Sequence, residues 1–586
     1  MVPILSRSTK KIIILALGTC IAMGLIIMRL YELQVLKKTN FFTLGQKNFL
    51  RVEKVYSHRG NILDTKGKLL ATNRPITNLF WQGSSNPRLT PQQENALAEL
   101  DFILGTTLAA TVKECGISAT EKLGKKILIA QDLTFEQLSR ISEKFADHEN
   151  IQLATHFKRL YPHNALACHI LGYLGHIDYG EEGKMGLEKI LEEQLKGKTG
   201  EVQKIINSLG KNLAEKELTQ SLAGCDIQTT LDLDLQQIAE RVFSENYVGT
   251  FILMDPKTGA LRAVVSRPNF DPNIFLQTID QQNWEQLQAS KAFLNRAFNA
   301  CYPPASIFKL VTVSAALEKK IINPQAQVFC KGFYQFGTYK HWCINHTGHG
   351  VLTVMQAVAK SCNILFYHIG KHVGIDTLAE YAQRFGLGQK TNMIFPDQAG
   401  LVPTSNWKLM AKGERWWPGE TLSAAIGQSF LLTTPIQLAR MISGIFEEYL
   451  VTPRIIEQEP IEKETLRISK STLDFLRKSM RSVVQIGTGM NVSHMRDIEV
   501  YAKTGTAQTS SLKLRESNEK FMENGLFVGY FKYKREAPLT MVILVERAGS
   551  SRVATNLGKE FLIAYRSLLE KDLPQNLIAQ DAEILS

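Results

Sequence analysis

The sequence predicts a single N-terminal transmembrane helix, then an α+β region, then an α/β domain. Three observations carry this. There is one long apolar run near the N-terminus. Turn signals and amphipathic helices extend to about residue 224, and a strand–cap–helix pattern followed by a hairpin begins at 226. At 586 residues the chain is too long for one domain.

The apolar run, residues 12–28, is 17 residues long, follows Arg7, Lys10 and Lys11, and is extended by Leu30 and Tyr31 once Arg29 snorkels. Basic residues ahead of the span predict a cytoplasmic tail over 1–11, an anchor over 12–31 and all else outside. A cleaved signal peptide is the rival, but no A-x-A site follows. Leu17-Gly18-Thr19-Cys20 misses a lipoprotein signal because Thr19 is too large and the apolar run continues. No later segment is apolar enough to span. A stalk helix is expected over 31–49, and helices over 91–104, 134–145 and 183–196, with a turn at Asp64-Thr65-Lys66-Gly67.

The formal charge is +12, from 68 Lys and Arg against 56 Asp and Glu, yet no nucleic-acid module is present, so no nucleic-acid partner is expected. Cys20 lies in the span. Cys115, Cys168, Cys225, Cys301, Cys330, Cys343 and Cys362 remain, an odd number in a chain too large to need a disulfide framework.

The chemistry gathers after Tyr302-Pro303-Pro304-Ala305, where prolines suited to a helix start put Ser306 in the first turn. Lys309 shares its face, and apolar residues up to Leu317 predict a helix buried all round. A desolvated lysine there has a lowered pKa and can take a proton from the hydroxyl. Serine three residues before lysine is weak alone, recurring at Ser8, Ser208, Ser405, Ser510 and Ser517. Two partners separate Ser306 from these. Ser361-Cys362-Asn363 follows a helical stretch at 354–360, and Lys503-Thr504-Gly505-Thr506 lies on a strand over 499–508. Gly505 lets a substrate lie against that strand. Of three K-T-G triplets, at 198, 257 and 503, only the last follows Ser306.

In this order the three motifs resemble those of the penicillin-recognising serine acyl enzymes. Arg59-Gly60-Asn61-Ile62-Leu63-Asp64, Gly186-Leu187-Glu188, and Gly427-Gln428 with Thr434-Pro435 resemble class B penicillin-binding proteins over about 50–565. Gly348-His349-Gly350 and the surrounding cysteines favour the elongation type over the septal type. One departure is Glu523-Asn524-Gly525-Leu526-Phe527, where relatives often carry a His.

The resemblance implies a membrane-proximal pedestal, or dimerisation-type domain, over 32–225. It implies a transpeptidase domain over 226–570, with a central antiparallel sheet covered by helices, and a tail over 571–586. Ser306 would attack the D-Ala-D-Ala carbonyl of a peptidoglycan stem, with Lys309 accepting its proton and Ser361 relaying one to the leaving D-alanine. Asn363 would hold the peptide, and Lys503, Thr504 and Thr506 its carboxylate. Backbone N–H groups of Ser306 and Thr506 would form the oxyanion hole. β-Lactams would acylate Ser306. Stem peptides, the lipid-linked precursor, the inner membrane, a membrane glycosyltransferase and rod-complex proteins are the implied partners. A D,D-carboxypeptidase, a β-lactamase, a β-lactam sensor and a non-catalytic scaffold are the alternatives.

Cys330, Cys343, His349 and Cys362 offer three thiolates and an imidazole, enough to close a tetrahedral structural zinc site. Similar spacing occurs in some elongation-type members. A disulfide between two of the three cysteines is the competing expectation.

Overall fold

The computed structural model describes residues 7–39, 41–42, 49–55, 57–84, 86, 88–105, 126–177, 180–206, 212–277, 279–493, 495, 497–508 and 522–571. Residues 1–6 of the expected tail, 572–586 of the expected C-terminal tail, Cys115, Ser510, Ser517 and parts of the stalk lie outside them.

The chain forms two compact units. The smaller comprises residues 1–59, 73–158 and 196–224, and the larger comprises 60–72, 159–195 and 225–586. The single cut at 225/226 expected from sequence is therefore replaced by a nested division, in which two segments before 225 belong to the larger unit. Side-chain chemistry accounts for it. The buried Asp64 carboxylate accepts from the N–H groups of Lys66, Lys68 and Leu233 at 2.8, 2.7 and 3.1 Å. The buried Arg159 donates to Glu188 at 2.7 Å and to the Gly60 carbonyl at 2.7 Å, and Tyr161 reaches Glu188 at 3.1 Å. A buried charge is stable only when paired and hydrogen-bonded, which ties these early segments into the larger core.

In the smaller unit, Arg7–Tyr31 is an α-helix with its apolar side chains exposed. The stretch 11–36 is long and apolar enough to cross a membrane. Instead of a continuous α-helical stalk, Glu32–Leu36 is a π-turn. Leu50–Val55, Gly200–Ile206 and Asn212–Thr219 pair as an antiparallel sheet. Helices Pro91–Leu104 and Phe135–Lys144 start at capping boxes on Thr90 and Thr134 and enclose Leu79, Ala96, Leu100 and Ile141.

The larger unit is built on five antiparallel strands: β1 (Gly249–Met254), β2 (Leu261–Arg267), β3 (Ile498–Ala507), β4 (Asn524–Tyr533) and β5 (Leu539–Val545). Their order is β2-β1-β5-β4-β3. The hairpin expected across Pro256–Gly259 is the β1–β2 pair. Ile252 and Met254 face one core, Phe251 and Leu253 the other, so both sides of the sheet are covered and β1 is buried throughout. The helix expected after 226 is Leu233–Val242, capped by Asp232. The helix expected over 183–196 is instead two short turns, Gly186–Ile190 and Glu192–Leu195.

Candidate active site

The helix expected to start at Ser306 begins later. Ala305–Ile307 is a 3-10 turn, and α1 (Lys309–Glu318) follows it, so Ser306 stands on the turn with Lys309 opening the α-helix. Residues 309–316 are all buried, as the apolar pattern required. Ala305 has a φ of 49°, a left-handed conformation uncommon for a residue with a Cβ. Tyr302 anchors the approach. Its hydroxyl donates to Glu546 at 2.7 Å, and Arg296 donates to the same oxygen at 2.9 Å.

Helix α2 (Val354–Ala359) ends two residues before Ser361, which has a φ of 55°, and α3 (Asn363–Val373) starts immediately after Cys362. Left-handed non-glycine residues cost energy and recur where a side chain must be aimed. Ser361 and Asn363 both reach Lys309. The ammonium donates to the Ser361 carbonyl at 2.8 Å, to Ser361 Oγ at 3.1 Å and to Asn363 Oδ1 at 2.7 Å. Lys503, on β3, donates to Ser361 Oγ at 3.2 Å and to the Thr504 carbonyl at 2.9 Å. Lys309, Ser361, Asn363 and Lys503 therefore form one network; Ser306 adjoins it three residues before Lys309, and the Thr504 and Thr506 hydroxyls pair outside it.

Both lysines are fully buried. Desolvation, only partly opposed by the nearby Cys362 and Cys343 thiols, brings Lys309 down to about 7. Desolvation, and then the charge of Lys309, hold Lys503 well below the ordinary lysine range. A hydroxyl has two acceptor lone pairs and one donor. Two lysines occupy the lone pairs of Ser361 Oγ, leaving its O–H to donate elsewhere.

Strand β3 is the sheet edge, and edges present unpaired backbone groups to an extended peptide. A Cβ at Gly505 would stand 3.3 Å from the Pro304 carbonyl oxygen and 3.4 Å from the Ala305 Cβ, so the strand and the turn that carries Ser306 are in direct contact. The Thr504 hydroxyl pairs with that of Thr488, and Thr506 Oγ1 accepts from the Ser551 N–H at 3.2 Å. The supporting roles of Thr488 and Tyr302 carry no local sequence signal, because their partners lie 16 and 244 residues away.

Cys330, Cys343, His349 and Cys362 converge, with their donor atoms within 4.8 Å of one another. His349 Nδ1 is 3.4 Å from Cys330 Sγ and 3.5 Å from Cys343 Sγ, and Cys343 Sγ is 3.9 Å from Cys362 Sγ. All three thiols are buried, and none of the seven described cysteines is in a disulfide. Ligand distances of about 2.0–2.3 Å around tetrahedral zinc give edges of roughly 3.3–3.8 Å, close to these separations, so this donor set fits zinc. The hydrogen bond shared with Cys362, with support from the Asn363 N–H, holds the Cys343 thiol below its ordinary range, while the same pairing and burial push Cys362 up. The cluster touches the network directly. Asn363 donates its N–H to Cys343 Sγ at 3.4 Å and its Nδ2 to the Trp342 carbonyl at 3.0 Å.

Residues 249–562 match the penicillin binding protein transpeptidase domain, and 54–229 match the penicillin-binding protein dimerisation domain. The peptidoglycan D,D-transpeptidase MrdA of Haemophilus influenzae is 28% identical, over 97% of this chain and 92% of that protein. Penicillin-binding protein 2 of Helicobacter pylori, solved in complex with MreC, superposes with a TM-score of 0.75 at 27% identity, covering 89% of this chain and 99% of that one. A chain of a peptidoglycan synthase complex, described as coordinating polymerization and crosslinking, superposes with a TM-score of 0.73 at 28% identity, covering 95% and 98%.

Proposed function

The chain belongs to the penicillin-binding protein transpeptidase family, and we propose that it cross-links peptidoglycan stem peptides during wall elongation, as a D,D-transpeptidase of the penicillin-binding protein 2 type. The observation that carries the reading is the Lys309–Ser361–Asn363–Lys503 network beside Ser306, with both lysines and Ser361 buried. Neutral Lys309 takes the proton of Ser306 as Oγ attacks the carbonyl of the penultimate D-alanine. The N–H groups of Ser306 and Thr506 receive the developing oxyanion. Ser361 passes a proton to the leaving D-alanine amine. Asn363 orients the donor peptide, and Lys503, Thr504 and Thr506 take its terminal carboxylate along the edge of β3. An amine of a second stem then resolves the acyl-enzyme, and a β-lactam occupies the same site as a stalled acyl donor.

The cysteine–histidine cluster is proposed to hold a structural zinc through Cys330, Cys343, His349 and Cys362. The metal would supply folding energy and fix the loop that carries Ser361 and Asn363. The helix Arg7–Tyr31 is proposed as a single-pass anchor, with the basic N-terminal side in the cytoplasm and the catalytic unit outside. The matched MreC and peptidoglycan synthase complexes support wall-synthesis partners, and a membrane glycosyltransferase is proposed as one of them.

The test uses detergent-solubilised full-length chain with a fluorescent penicillin and with donor and acceptor stem peptides. Wild type should be labelled and should form cross-linked dimer, whereas Ser306→Ala should do neither. Label without dimer, with D-alanine released, would favour a carboxypeptidase. No label on folded, metal-replete wild type would overturn the reading.

A further inference from the structure

Gly427 and Gln428 have no task in the reaction just described, yet they stand between the two elements that must cooperate in it. The Ala305 N–H donates to the Gly427 carbonyl at 2.9 Å, immediately before the nucleophile. Gln428 Nε2 donates to the Thr506 carbonyl at 3.4 Å, on the strand that faces it. The pair is itself anchored at the end of helix α4 (Pro418–Ala425), since the Gly427 N–H donates to Ala424 at 2.9 Å and the Gln428 N–H to Ser423 at 3.0 Å. That helix end is tied to α1, because Thr312 Oγ1 donates to the Ala425 carbonyl at 2.8 Å. Just beyond, Tyr302 and Thr433 exchange backbone hydrogen bonds at 2.8 Å each.

Only glycine suits position 427. Its φ is 77°, and a Cβ there would stand 2.0 Å from the Ala305 carbonyl oxygen. The backbone of this segment is therefore pressed against the Ala305–Ser306 peptide, whose N–H belongs to Ser306. Gln428 holds the other side of the cleft at Thr506. Each residue of the oxyanion pair thus has this dipeptide bonded to it or to its neighbour.

We propose that Gln428, with Gly427, is a positioning residue that sets the separation of the Ser306 and Thr506 N–H groups. This rests on the transpeptidase reading of the same site. Such a residue matters most when the oxyanion forms and little when the ground state binds. Its loss should lower the acylation rate constant without weakening the initial complex.

The experiment measures acylation of the full-length chain by a fluorescent penicillin over a range of concentrations, which separates the dissociation constant of the initial complex from the acylation rate constant. Gln428→Ala should lower the rate constant about tenfold and leave the dissociation constant within about twofold and the melting temperature near wild type. Gln428→Met, of similar length without a donor, should show the same fall, and it carries the test if the alanine variant does not fold. A rate constant unchanged in the folded variants overturns the proposal, as does a loss confined to the dissociation constant. Absence of acylation in wild type would instead sink the transpeptidase reading, and this proposal with it.

Discussion

The lysine network and the cysteine–histidine cluster are neighbours built on opposite principles. In the first, polar atoms find their partners within the protein: Lys309 fills three acceptors, and Ser361 Oγ serves two lysines. In the second, three buried thiols and an imidazole face one another with little besides each other to satisfy them. One is complete as a polypeptide, and the other fits a cation. They share the tripeptide 361–363, whose outer members turn to Lys309 while Cys362 turns to the sulfurs. The loop 361–363 thus contacts two different clusters, the lysine network on one side and the thiols on the other.

Breaking the first side should cost most. Lys309→Met keeps the bulk of the buried side chain and removes the base, and acylation by penicillin should fall by about 10³-fold, within the usual contribution of a positioned base. A fall below tenfold would show that another group takes the proton from Ser306.

The pH dependence sharpens the same contrast. Burial brings Lys309 down to about 7, so the neutral form that accepts a proton dominates above that value and the ammonium below it. Acylation should therefore rise with pH through about 7 and fall roughly thirtyfold between pH 8 and pH 5.5, by the ratio of neutral lysine. A profile flat across this range would contradict the assignment of Lys309 as base.

Removing metal attacks the other side. Full-length protein should contain about one equivalent of zinc, and a strong chelator should lower the melting temperature by several degrees and slow acylation about tenfold through misplacement of Ser361 and Asn363. Metal-free protein with a mapped disulfide among Cys330, Cys343 and Cys362 would refute this. The smallest effect is expected at Thr488, whose hydroxyl pairs with that of Thr504. Thr488→Val should weaken binding of a carboxylate-bearing penicillin about threefold and leave the acylation rate constant nearly unchanged, because the hydroxyl pair supports ground state and transition state alike.

Sequence showed the parts of the site more readily than their supports. Ser306, Lys309, Ser361, Asn363 and Lys503 were legible because each motif is short and sits on an element with a clear pattern: an apolar helix, a helix end, an edge strand. The hairpin at Pro256–Gly259 and the helix capped by Asp232 were legible for the same reason. The nested division of the chain was not. It depends on Asp64 meeting Leu233 and Arg159 meeting Gly60, pairs separated by 169 and 99 residues, which no window on the sequence can join. The late start of the nucleophile helix was hidden because Ala305 takes a left-handed conformation that alanine rarely adopts. Gln428 was visible as part of a motif, but its partner, the Thr506 carbonyl, lies 78 residues away.

The most direct test of the account is peptide mapping of the penicilloyl adduct on full-length protein by mass spectrometry. The account predicts one adduct, on the peptide that carries Ser306, absent from Ser306→Ala and slowed but still on Ser306 in Lys309→Met. An adduct on Ser361, or labelling that survives in Ser306→Ala, would contradict it.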